Sequence, residues 1–115
     1  MAIIVKSTSP STMADRIRQK IDDSIIDTWK YDEDGDFTHV GQWLNHAWLS
    51  PRISGADTVI FNIIGRKDVA MNQMEYSIYH GRFAEMLLNH FLKEIQELRL
   101  TPPSSDPLDI CRIDF

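Results

Sequence analysis

Cysteine is the scarcest informative residue here. A single one, Cys111, serves 115 residues, which excludes an intramolecular disulfide and a cysteine-rich metal knuckle and fits a reducing compartment. Glycine is also sparse, with five in all, and no glycine-rich phosphate loop occurs. No GxSxG elbow marks a serine nucleophile, and no HExxH or paired-cysteine spacing marks a zinc site. No stretch approaches the roughly 20 apolar residues that a membrane-spanning helix needs. The apolar run at the N-terminus is too short for a signal peptide and lacks a basic start, so the expected location is cytoplasmic. Cations are in deficit, 12 Lys and Arg against 17 Asp and Glu, for a net charge of −5. That balance opposes binding to nucleic-acid phosphates.

What is present suits one ordinary globular domain, with 43% hydrophobic and 25% charged residues. Residues 2–6 form a β-branched run that predicts a strand. Pro10 after Ser9, or Thr12 followed by Asp15, supplies a helix start. Met13, Ile17, Ile21 and Ile25 then recur at every fourth position, the stripe of an amphipathic helix ending near Asp23 or Ser24. From Ile26 the period drops to two. Trp29 and Tyr31 fall on one side of a strand, the segment Asp32-Glu33-Asp34-Gly35 suits a turn closed by a left-handed Gly35, and 36–40 returns as a hairpin. Residues 46–53 alternate as a third strand, which Pro51 should end early or hold at an edge. Residues 58–64 are almost continuously apolar, as a buried central strand requires.

The last periodic segment predicts a helix over 76–100. Tyr76, Tyr79, His80, Phe83, Leu87, His90, Phe91, Glu94 and Leu98 share one face, and Arg82, Glu85, Asn89, Lys93 and Gln96 lie opposite. Gly81, inside this pattern, implies a close backbone approach. Residues 101–107 read as loop and 108–115 as an edge strand or a tail resting on the body. The expected architecture is α+β: one two-layer domain over 1–100, an antiparallel meander of three to five strands with two helices packed on one face, and a tail over 101–115.

Candidate chemistry is thin. His90 and Glu94, four apart, suit an imidazole oriented by a carboxylate, the arrangement of a general base, and equally an ordinary helix pair. His39 and His46 offer a second such set, and Tyr76 with His80 carries the same ambiguity. His80 and His90 lie about 15 Å apart along a helix, too far to share an ion. Asp32, Asp34 and Asp36 invite a calcium reading. With Gly35 placed sixth in an EF-hand loop, however, Lys30 and Gly41 occupy the two terminal ligand positions, and the motif fails. No metal and no cofactor is implied. Cys111 has no histidine near it in sequence.

Seven acids lie between Asp22 and Asp36 with only Lys30 against them, a patch that would draw a basic partner and that a solvated loop explains as well. Trp29 and Trp48 read as core, while Trp43, in the connector beside His46, is the tryptophan expected to be partly exposed. The reading is a non-enzymatic interaction protein that binds a basic protein partner, a homodimer included, through Asp32, Glu33, Asp34, Asp36, Trp43 and His46. The alternative is a small hydrolase using His90 with Glu94, or His39 with His46. Nucleic-acid binding through Arg16, Arg18 and Lys20 ranks last, and no membrane is involved.

Overall fold

The computed structural model describes residues 2–102 and 110–114. Strand β1 (Ala2–Ser7) leads into helix α1 (Pro10–Asp22), followed by β2 (Trp29–Tyr31), β3 (Phe37–His39), a single 3-10 turn (Gly41–Trp43), β4 (Ala47–Ser54) and β5 (Thr58–Gly65). A two-residue strand β6 (Met71–Asn72) abuts helix α2 (Gln73–Phe91), and β7 (Ile95–Leu100) and β8 (Ile113–Asp114) complete the described chain. Six strands form an antiparallel sheet in the order β2-β3-β4-β5-β1-β7. Two helices and a mostly antiparallel sheet make the fold α+β, with more strands than the three to five expected.

Period-two alternation decides which residues meet the helices. Ile3 and Val5 of β1, Ala47 and Leu49 of β4, and Val59, Phe61 and Ile63 of β5 point to the core. There they join Met13 and Ile17 of α1 and Tyr79, Phe83, Leu87 and Phe91 of α2. Of the two possible starts, α1 uses Ser9 as N-cap with Pro10 at the first helical position. Its stripe ends one residue short of expectation: Ser24 takes a positive φ of 60°, so Ile26 turns inward and Ile25 stays 55% exposed.

The expected helix over 76–100 is two elements. Helix α2 begins earlier, at Gln73, and stops at Phe91, after which the Glu94 amide donates to the Phe91 carbonyl and the chain extends as β7. Strand β1, paired on one side with β5, has a second edge of backbone groups that needs partners, and residues 95–100 supply them, with Val5 opposite Leu98 and Ile3 opposite Leu100. Leu98 and Leu100 alternating with Glu97 and Arg99 also satisfy a strand period, so the pattern was ambiguous.

Other expectations are corrected by packing. Gly81 makes no close approach, since an added Cβ would meet nothing within 4 Å. The tight spots are Gly35, where a Cβ would lie 2.8 Å from Arg18 Nη2, and Gly65, where one would lie 3.1 Å from that of Cys111. Pro51 does not end its strand. It pairs with Phe61 in β5 and lies past Leu49, the β4 residue that faces β3, where no neighbour needs its missing N–H. Trp29 is core at 2% exposure, but Trp48, on an even position opposite Ile64, faces the other side of the sheet and is partly exposed.

The tail returns to the body in its described part. The Gly65 amide donates to the Ile110 carbonyl, that of Ile110 to Ile63, and that of Met71 to Arg112, so β8 runs parallel to β6. The rest of the expected loop and strand, residues 103–109 and 115, lies outside the described residues.

Phe83 touches three aromatic rings from three strands, so Phe83→Ala should cost about 3–5 kcal/mol in urea unfolding. An unfolding midpoint close to that of the wild type would refute its central place.

Candidate ligand cleft and acidic hairpin

Where the chain leaves α1 it makes a tight reversal, in which the amides of Ile25 and Ile26 both bond to the Lys20 carbonyl. The hairpin ladder then continues past β3, with the Val40 amide donating to Thr28. Helix α2 crosses above this entry and presents Arg82, Glu85, Met86, Asn89 and His90 to Ile25, Ile26, Asp27, Thr28, Trp29 and His39. Between the two walls is a cleft of about 560 Å³. It has an apolar floor, with Trp29 and Ile26 buried, and polar walls.

His39 is the buried polar group of this cleft. Its Nδ1 lies 2.7 Å from the Val40 carbonyl, which can only accept, so Nδ1 carries the proton and Nε2 presents a lone pair. Arg82 Nη1 sits 3.4 Å from that Nε2, and the edge of Trp29 lies against the imidazole with 5.0 Å between ring centroids. Burial pushes the His39 pKa down, the Val40 carbonyl works against this, and the positive Arg82 lowers it further, for a net depression. His39 is therefore a neutral acceptor that steadies Arg82.

The expected histidine pairs do not form. Glu94 lies beyond the end of α2 and is taken by Arg16, whose Nη1 and Nη2 donate to its two oxygens at 2.6 and 2.5 Å, and by the Ser7 hydroxyl. His90 stays at the cleft rim beside Asn89. His46 is engaged elsewhere than His39: its Nδ1 lies 2.5 Å from Glu75 Oε2. Glu75, buried to 5% exposure, closes a capping box with Asn72 at the start of α2, and Arg66 approaches it at 3.5 Å. Burial pushes the Glu75 carboxyl up. The hydrogen bond from His46, the Asn72 backbone and the charges of His46 and Arg66 outweigh it, so its pKa ends below the ordinary value. His80 and Tyr76 do meet, as stacked rings 3.9 Å apart.

The acidic turn has internal order. Asp32 Oδ1 accepts from the amides of Asp34 at 3.0 Å and Asp36 at 2.9 Å, and Gly35 adopts φ +83°. Arg18 reaches across from α1 to the Gly35 carbonyl at 2.8 Å. Carboxylate oxygens of Asp32, Asp34 and Asp36 lie within 4.8 Å of one another, but Asp32 already commits Oδ1 to two backbone amides, and proximity alone does not make a metal centre. Asp36 is partly buried, and desolvation first, with the neighbouring Asp32 and Asp34 charges, raises its pKa against the opposing Ser50 and Arg18. Among the described residues, none of the seven carboxylates from Asp22 to Asp36 lies within 4.0 Å of a Lys, Arg or His nitrogen.

Trp43 and His46 sit at the other end of β3 from the turn, roughly 13 Å or more along a strand, so the hairpin tip and this pair do not form one patch. Trp43 packs against the core, with its carbonyl taking the Tyr79 hydroxyl and its ring edge-on to His46. Sequence reasoning placed Arg82, Glu85 and Asn89 on the solvent side of a helix and left Asp27 in a general acidic run. Only the crossing of α2 over the hairpin entry makes one cleft of them. The trio Arg16, Arg18 and Lys20 is occupied internally: Arg16 and Lys20 lie over the Phe91 ring and Arg18 over Phe37. Comparison with protein-family models, curated proteins and solved structures finds no match to this chain.

The Arg16 hydrogen bond, against desolvation and aided by charge and by Ser7, holds the Glu94 carboxyl below its ordinary pKa. A depressed folded value means stabilisation present above the unfolded pKa and lost as pH falls through the folded one. Glu94→Gln should thus be less stable than wild type at neutral pH, with the two stabilities converging in acid. Parallel stability–pH curves would refute this.

Proposed function

We propose that this chain is a cytoplasmic, non-enzymatic binding module whose hairpin end engages a basic protein partner. The observation that carries the reading is the run of seven carboxylates over 22–36 without a cationic partner among the described residues. Asp32, Glu33, Asp34 and Asp36 steer the partner electrostatically. The cleft behind them, with Asp27 on its wall and apolar Ile26 and Trp29 on its floor, suits a long basic side chain, whose stem lies on apolar surface while its head meets a carboxylate. Trp43 and His46, at the other end of β3 from the acidic turn, fall outside this surface. No described helix is long and apolar enough to cross a membrane.

Titration with an arginine- and lysine-rich peptide, followed by amide NMR at low and high salt, tests the reading. Shifts should concentrate at 22–36 and around the cleft, fade with salt, and weaken when Asp27→Asn, Glu33→Gln and Asp34→Asn are combined. Those three leave the Asp32 turn contacts in place. Shifts scattered over the surface, or unchanged binding by the triple variant, would refute it.

One observation supports a hydrolytic reading: the cleft joins His39, His90 and Arg82, in place of the pairs expected from spacing. If this is a catalytic site, turnover of a chromogenic ester or phosphate ester should vanish in both His39→Gln and His90→Gln with the fold intact. Turnover that survives both variants would exclude it.

A further inference from the structure

The apolar exposure on α2 follows a rule. Met74, Ile78, Gly81, Glu85, Leu88 and Leu92 succeed one another at alternating steps of four and three residues, the spacing of a coiled-coil seam. This seam lies on the side of the helix opposite the core residue Phe83. Met74, Leu88 and Leu92 are 61%, 41% and 66% exposed, Ile78 is half-buried, and Gly81 and Glu85 are exposed. Leu92, the C-cap, keeps helical dihedrals of −54° and −39° and so extends the seam.

The seam reads the same from either end. Two apolar residues, a central Gly81–Glu85 pair and two more apolar residues follow in both directions. A helix of the same sequence laid antiparallel therefore places Met74 against the partner's Leu92 and Ile78 against the partner's Leu88. Gly81 then faces the partner's Glu85. Within one chain nothing requires glycine there: its φ is not positive, and an added Cβ would meet open space. In a helix interior it costs about 1 kcal/mol relative to alanine. In the pair, its missing side chain makes room for the facing carboxylate.

Charge agrees with the same arrangement. Arg82 is next to Gly81 on the flank of the seam, within reach of the partner's Glu85, and twofold symmetry repeats the ion pair. Like charges would meet if the two helices ran parallel and in register, since the seam residue Glu85 would then face the partner's Glu85.

We propose that the outer face of α2 is an antiparallel twofold interface with a second copy of this chain, sealed by Met74, Ile78, Leu88 and Leu92 and oriented by Arg82 with the partner's Glu85. No residue of the 22–36 segment takes part; Arg82 and Glu85 also line the cleft of the binding reading, whereas Leu88 does not, so loss of the dimer in Leu88→Glu with peptide binding intact separates the two.

Sedimentation velocity over a concentration series tests it. Wild type should pass from monomer to dimer as concentration rises, and Leu88→Glu should weaken the dimer about tenfold or more, the loss of the two symmetric contacts of Leu88 with the partner's Ile78 across the axis. Arg82→Glu and Glu85→Arg should each weaken it in the same way, because each leaves like charges facing across the axis. Mixing those two variants in equal amounts should restore dimers, since each then supplies the charge the other lacks. Circular dichroism confirms that each variant is folded. A wild type that stays monomeric at every concentration, a dimer indifferent to Leu88→Glu, or a mixture that fails to restore dimers would overturn the proposal.

Discussion

The insertion of Phe83 between Trp29, Phe37 and Phe61 sets the geometry of everything around it. Ring centroids lie 4.9, 5.7 and 4.8 Å away, and the three partners come from β2, β3 and β5. Tilted and edge-on contacts of this kind add about 0.5–1.5 kcal/mol each beyond area burial. They also fix the rotation of α2 about its axis. With Phe83 pointing down, Arg82 and Met86 hang over the entry of the hairpin and Glu85 stands exposed on the same wall of the cleft. The cleft, the steadied Arg82 and the exposed seam all follow from that one orientation.

Polar contacts then tie the elements at their ends. Arg16 with Glu94 joins α1 to the turn after α2, Arg18 with Gly35 joins α1 to the hairpin, and His46 with Glu75 joins the β3–β4 connector to the start of α2. Each is at least partly shielded from water, where a charge-assisted bond counts for more than on an open surface. Arg16 and Arg18 are among the few cations of an acidic chain. Arg16 is committed to Glu94, away from the hairpin, whereas Arg18 brings its charge to the Gly35 end of the turn and offsets part of the acidic field there.

The same two facts explain how much of the molecule was legible in its residues. Strands β1 and β5, helix α1, the hairpin and the buried face of α2 follow from local periodicity, because each buries one side and signals it within a few residues. The C-terminal limit of α2 does not. Residues 95–100 fit either period, and the open edge of β1, some ninety residues distant in sequence, decides between them. Of the candidate site, the acids of the hairpin were visible as composition, and His39 and His90 as isolated histidines. Their grouping with Arg82 and Asp27 was not, since no sequence spacing encodes which helix crosses which hairpin.

By itself, then, the sequence determined an α+β fold, most of the residues that fill its core, a turn rich in carboxylate and the buried face of a long helix. These are properties of neighbouring residues, and backbone stereochemistry makes them local. Tertiary structure alone decided that Glu94 serves Arg16 rather than His90, that His46 serves Glu75 rather than His39, and that Gly35 and Gly65 rather than Gly81 are the places of close approach. Partners for buried charge and backbone are settled by whatever the rest of the fold brings within hydrogen-bonding distance, and that distance is set by packing rather than by position along the chain.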